Sequence, residues 1–153
     1  MRPGRSGLAA VLLALCACGD RAAPGNDVAV PGLERVETAV VAPETPVRIG
    51  EGGPAFRACQ AAGMPRDPDP AAALPVRAAP FEGAPTTTRI AAGTRFFVCS
   101  RSIDQRWLGV VFEDGGTLSP GCGVSRPVPQ PAAYTGPCRS GWVASAAVRS
   151  IAD

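Results

Sequence analysis

The chain has 153 residues with 15 basic and 13 acidic side chains, six cysteines and no histidine. All of its basic residues are arginines scattered singly along the chain, which excludes the clustered basic surface that nucleic-acid binding requires. The lack of histidine excludes Ser-His-Asp and Cys-His catalytic arrangements.

The chain opens with a basic stretch, Arg2 and Arg5, followed by an apolar run from Leu8 to Leu15 that is too short to span a bilayer as a helix. It closes on Leu15-Cys16-Ala17-Cys18-Gly19, which resembles a bacterial lipobox. Ala17 supplies the small residue required before the modified cysteine, whereas Leu15 before Cys16 does not. Residues 1–17 are therefore expected to be a lipoprotein signal peptide, with Cys18 the lipidated N-terminus. An ordinary cleaved signal with Cys18 unmodified and a retained membrane anchor are the alternatives. Acyl chains contribute about 0.8 kcal/mol per buried methylene, so several together hold a protein on a membrane without a spanning helix. The expected location is the cell envelope, lipid-anchored and facing the periplasm, with the outer membrane favoured over the inner and the choice between them left open. Loss of residues 1–17 removes Arg2 and Arg5 and leaves 13 arginines against 13 acids, a neutral chain.

Residues 18–53 read as an acidic tether. From Gly19 to Gly53 they hold Pro24, Pro31, Pro43 and Pro46, six acids against three arginines, and no aromatic residue. Such a segment buries too little apolar surface to offset its ordering entropy and is expected to be disordered. The alternation from Val36 to Val41 allows one short edge strand. The folded unit is expected over 54–153, where every tryptophan and tyrosine lies.

Within that unit apolar residues alternate with period two between short turn signals, which argues for antiparallel strands. Leu74 and Val76 alternate with Pro75 and Arg77, and Pro80 to Pro85 make a loop. Thr86 to Ile90 is rich in β-branched residues and ends near Gly93. Thr94 to Ser100 carries Phe96 and Val98 on one face; Arg106 to Glu113 carries Leu108, Val110 and Phe112; Gly141 to Val148 closes the set. The expectation is an all-β fold of about five strands, and closure into a small barrel removes most exposed edges.

The order of motifs resembles the bacterial SH3 (SH3b) family. Leu74-Pro75-Val76-Arg77-Ala78-Ala79-Pro80 is similar to its opening L-x-V-R-x-x-P strand and loop. Ile90 to Val98 is similar to its Gly-Thr turn and following strand, Arg106-Trp107-Leu108-Gly109-Val110 to its W-x-x-V strand, and Gly141-Trp142-Val143 to its G-W-V signature. The resemblance covers about 73–151 and implies a small SH3-like five-stranded barrel over 74–151, with an N-terminal extension at 54–73 and an insertion at 114–140. Ala78-Ala79 replaces the usual Ser-Gly of the first loop.

Cys59, Cys99, Cys122 and Cys138 remain in this unit and allow three pairings. Cys122 with Cys138, stapling the insertion, is favoured, and by elimination Cys59 with Cys99, tying 54–73 onto the barrel. A zinc site lacks the short ligand spacings it requires, and no metal or cofactor is expected.

The cysteine peptidases and transpeptidases that often accompany SH3b modules are excluded with histidine. The carboxylate pairs Glu82 with Asp104 and Glu113 with Asp114 read as solvated surface groups, and the protein is expected not to be an enzyme. Trp107 and Trp142 lie in strand segments and read first as core, Phe96 as core by alternation, and Phe97 as packed under 54–73. Phe81 and Tyr134 sit in loops, where a large ring is less easily explained by packing. Arg77 matches the family's arginine; it reads first as structural. The candidate ligand-binding residues are Arg77, Phe81, Trp107 and Tyr134. The resemblance implies non-catalytic recognition of cell-wall peptide or of an envelope protein. Two alternatives stay open: an adaptor docking a protein through Pro127 to Pro137 near Tyr134, and a structural lipoprotein with no discrete ligand.

Overall fold

The computed structural model describes residues 43–152. The signal-like segment, Cys16, Cys18 and the stretch from Val36 to Val41 lie outside the described residues. Among those described there are nine strands: β1 (Arg48–Ile49), β2 (Ala61–Pro65), β3 (Leu74–Arg77), β4 (Thr86–Ile90), β5 (Phe96–Arg101), β6 (Trp107–Phe112), β7 (Ala132–Ala133), β8 (Arg139–Ala144) and β9 (Val148–Ile151). Among the described residues helical structure is confined to two single 3-10 turns, Pro120–Cys122 and Ser145–Ala147.

Seven strands form one sheet in the order β4-β3-β8-β6-β5-β2-β9, and β1 pairs with β7 in a separate ribbon. Every pairing is antiparallel. The expected five-stranded closed barrel is not what these pairings describe. Among the described residues the sheet has seven strands and two ends, β4 and β9, which do not pair with each other. The difference originates in β2, from the segment expected only to rest on a barrel. Its sequence, Ala-Ala-Gly-Met-Pro, lacks the β-branched and aromatic residues that favour strands. Even so, β2 bonds on both sides, Ala62 opposite Phe97 of β5 and opposite Ile151 of β9. Gly63 permits this, because a β-carbon there would stand 2.8 Å from a Val148 methyl and 2.9 Å from the Phe96 ring.

Period-two alternation divides the buried side chains between the two faces of the sheet. One face gathers Leu74, Val76, Ile90, Phe96, Val98, Leu108, Val110, Phe112, Val143 and Val148 into a core. The other carries Phe97, Trp107, Val111 and Trp142, and it too is buried. A second core forms there with Val47, Ala58, Cys59, Cys122 and Val124. Phe97 thus packs with Ala58 and Cys59 of the extension, as expected.

The chain segments that cover this outer face are tied down by backbone bonds. The Thr45 N–H donates to the Ala78 carbonyl at 2.9 Å, and the Tyr134 N–H donates to the Val47 carbonyl at 2.8 Å. The Ala58 and Cys59 N–H groups donate to the carbonyls of Arg126 and Val124 at 2.9 and 3.1 Å. Val47, only 1% exposed, therefore belongs to the folded unit. Residues 43–53, assigned from composition to the tether, run as a strap across the sheet. Two apolar side chains among prolines and charges, Val47 and the half-buried Ile49, accomplish this because the outer face supplies the remaining apolar surface.

Two disulfides complete the cover, Cys59–Cys99 and Cys122–Cys138, each with S–S 2.03 Å. They are the favoured pairings. Cys99 is the extra residue of a bulge in β5, where the register against β6 shifts between Val98 and Ser100. The Cys59–Cys99 bond joins the segment just before β2 to that bulge. Structural disulfides persist in oxidising compartments and point to a non-cytoplasmic location. No helix among the described residues is long and apolar enough to cross a membrane.

Candidate functional site

The site originates in the separation of β3 from β8. These strands pair at one position, Arg77 opposite Trp142. Continuing that antiparallel register would set Pro75 opposite Ala144, but proline has no N–H to donate and the ladder stops. Beyond this point β3 pairs only with β4, while β8 follows β6 through to Ala144 opposite Trp107. The gap is an open cleft of about 230 Å³ bordered by Pro75, Arg77, Glu82, Arg106, Trp107 and Ser145.

Arg77 and Trp107, two of the four candidate ligand residues, meet in this cleft. The Arg77 guanidinium carbon lies 5.8 Å from the centroid of the Trp107 ring, within the range of a cation–π contact. Its Nη1 donates to the Ala84 carbonyl at 2.8 Å, which pins the loop between β3 and β4. Arg77 therefore has the structural hydrogen bond expected of it, and the remaining N–H groups of a five-donor guanidinium still border the cleft. Trp107 is 8% exposed, so it offers a ring edge or patch against a wall of core.

Phe81 stands on the same loop, 41% exposed, but does not line the cleft. Its neighbour Glu82 does. Tyr134 is not a free loop ring. Its hydroxyl donates to the Cys122 carbonyl at 3.1 Å and accepts from the Cys138 N–H at 3.0 Å, and its ring packs against the outer core. It clips together the loop that Cys122–Cys138 closes, which accounts for an aromatic residue at that position. Trp142 is likewise structural: it is 5% exposed, and its Nε1 donates to the Thr45 carbonyl at 2.6 Å, holding the strap.

Glu82, read from sequence as a solvated carboxylate, and Arg106 also border the cleft. Glu82 reaches the cleft because Arg77 folds its loop back. Arg106 is held at the rim by its N–H, which donates to the Asp104 carboxylate at 3.1 Å. Of the carboxylates paired from sequence, Glu82 borders this cleft and Asp104 does not, whereas Glu113 and Asp114 both border a separate depression. Asp104 serves its own hairpin, and Asp114 forms an exposed ion pair with Arg139 at 3.2 Å. The Asp104 carboxyl is held below its ordinary value of 3.8, first by the Ser102 hydroxyl and then by the Arg106 N–H.

A second depression, of about 580 Å³, lies beside the strap, with Pro46, Pro80, Arg101, Ile103 and Trp142 on its walls. Ile103 is fully exposed, at the tip of the hairpin between β5 and β6. The tip is held by the Gln105 N–H donating to the Ser102 carbonyl at 3.0 Å, and Gln105 adopts φ 60°, left-handed backbone that a non-glycine residue adopts at some cost.

No family model, no curated protein and no solved structure matches this chain. The functional reading therefore rests on the site.

Proposed function

We propose that this protein is a non-catalytic binding module of the bacterial cell envelope, lipid-anchored through Cys18, whose SH3b-like domain recognises cell-wall peptide at the Arg77–Trp107 cleft. The observation that carries this reading is the cleft itself: a guanidinium over an indole ring, with a carboxylate and a second guanidinium at its borders. Convergent polar groups beside an apolar wall are what a small peptide group needs for orientation and contact area. The SH3b-like reading is supported by the pairing of the motif strands: Arg77 of the L-P-V-R segment opposite Trp142 of the G-W-V segment, and Trp142 opposite Gly109 of the W-L-G-V segment. The two disulfides agree with an envelope address.

Retention of the oxidised full chain on purified sacculi tests the function. Specific retention that falls when Arg77 is replaced by Gln, at unchanged far-UV circular dichroism, is the expected result. Equal retention of native and heat-denatured protein refutes it. Membrane fractionation tests the anchor: Cys18→Ala is expected to move the protein to the soluble periplasmic fraction, and a variant that stays bound through a carbonate wash refutes lipidation there.

A second reading, an adaptor docking an envelope protein, is favoured by one observation, the full exposure of Ile103 on a hydrogen-bonded hairpin beside an apolar depression. This moves the adaptor surface away from Tyr134 and the stapled insertion, whose ring is packed. An Ile103→Asp variant that loses an envelope partner while keeping sacculus retention would identify this surface.

A further inference from the structure

Resting on the wall-peptide reading, we propose that the Arg77–Trp107 cleft holds the free amino-acid end of a branched peptide, a single carbon bearing both an ammonium and a carboxylate. The charge arrangement points there. Two guanidiniums, Arg77 and Arg106, border the cleft with one carboxylate, Glu82. Neither the Arg48–Glu51 nor the Arg139–Asp114 ion pair uses Glu82, so Glu82 faces the cleft without a salt-bridged partner among the described residues. A simple anion would meet the Glu82 carboxylate, and a simple cation would meet both guanidiniums. A group carrying both charges on neighbouring atoms satisfies all three side chains.

Size and geometry agree. About 230 Å³ is below the roughly 300–1,000 Å³ of ordinary small-molecule sites, so the cleft suits the end of one residue and not a sugar chain. Arg77 is fixed by its bond to Ala84 and its position over Trp107, and a planar guanidinium fixed in this way presents its free N–H groups as a fork suited to a carboxylate. Trp107 and Pro75 give the methylene stem an apolar wall. The cleft is open to solvent, so the rest of the peptide can remain outside.

In a wall peptide the group of this description is the distal end of a diamino-dicarboxylic acid residue. The test uses the oxidised full chain and three tripeptides, followed by calorimetry and by the Trp107 indole N–H resonance. L-Ala-γ-D-Glu-meso-diaminopimelate carries the ammonium and the carboxylate together. Its lysine counterpart keeps the ammonium without the carboxylate, and the ω-N-acetyl form keeps the carboxylate without the ammonium. The first is expected to bind saturably and each of the others about ten- to a hundredfold more weakly, the scale of a lost charged hydrogen bond. Glu82→Gln should abolish discrimination against the acetylated form, and Arg106→Gln should reduce discrimination against the lysine form. Both side chains are exposed, so the variants are expected to fold, and thermal melts check this. Equal binding of the three peptides, or wild-type discrimination in both variants, overturns the proposal. If the tripeptide does not bind while sacculi still retain the chain, the charged-end proposal fails and wall recognition stands. If neither retains it, the wall-peptide reading itself fails.

Discussion

Replacing Ser100 with Ala is expected to stabilise this protein, contrary to the usual direction of a substitution in a packed sheet. Ser100 lies in β5, 5% exposed, and its Oγ has no hydrogen-bond partner among the described residues. The bulge at Cys99 turns it towards Gly109, and its Oγ occupies the space a β-carbon on Gly109 would need, beside Val47 and Trp142. A buried hydroxyl that has left water without a partner costs about 1–3 kcal/mol. Removing the oxygen recovers that cost and forfeits the dispersion contacts of one atom, each about 0.1–0.2 kcal/mol per neighbour. The net expectation is a gain of about 1 kcal/mol, equivalent to a rise in Tm of roughly 4–8 °C for a domain of this size. Thermal and urea unfolding of the oxidised protein measure it. Gly109→Ala provides the cross-check: it should destabilise the wild type, and the loss should shrink in the Ser100→Ala background, although Val47 at 3.0 Å from the new carbon keeps it from vanishing. The size of that change is the coupling of the pair in a double-mutant cycle. A Ser100→Ala variant less stable than wild type, or two substitutions with independent effects, refutes the argument.

Val47→Ala should cost about 2 kcal/mol, from the methyl groups removed and the space they leave, measured by urea unfolding; a neutral result would return residues 43–53 to the tether. Replacing both cysteines of each disulfide by Ala should cost about 4 kcal/mol for Cys59–Cys99 and about 3 kcal/mol for Cys122–Cys138, given chain separations of 40 and 16 in the loop-entropy model. The same unfolding assay tests whether the longer loop gives the larger loss. Asp104, whose carboxyl is held below 3.8 by Ser102 and Arg106, should help order the hairpin at neutral pH. That contribution is fully present above 3.8 and lost as pH falls through the lowered folded value. A titration of the Gln105 and Arg106 amide resonances should show the turn loosening only at the acid end, and a transition above 3.8 would contradict it.

The strands that sequence made legible are those whose own side chains alternate. Leu74 and Val76, Phe96 and Val98, and Leu108, Val110 and Phe112 sit with period two on one face, and that pattern required no neighbour to be read. The all-β class followed from it, and so did Phe97 on the opposite face. The pairing of the four cysteines was narrowed by the proximity of Cys122 to Cys138 along the chain. Arg77 and Trp107 were singled out before their contact was visible.

Tertiary structure decided what depends on surfaces supplied from elsewhere in the chain. Ala61 to Pro65 is a strand because β5 and β9 offer free backbone groups on either side of it, a property of its neighbours that no local propensity encodes. Residues 45–49 are ordered because Val47 finds Trp142 and Val111 on a sheet face that the strap and the insertion cover together. Tyr134 is a clip because two cysteine backbone groups converge on its hydroxyl. The cleft exists because Pro75 interrupts one ladder at the place where β3 and β8 meet, and this brings Glu82 and Arg106 to Arg77 from separate loops. Local alternation is written in consecutive residues, whereas burial on the second face and convergence at the cleft arise from contacts between segments tens of residues apart.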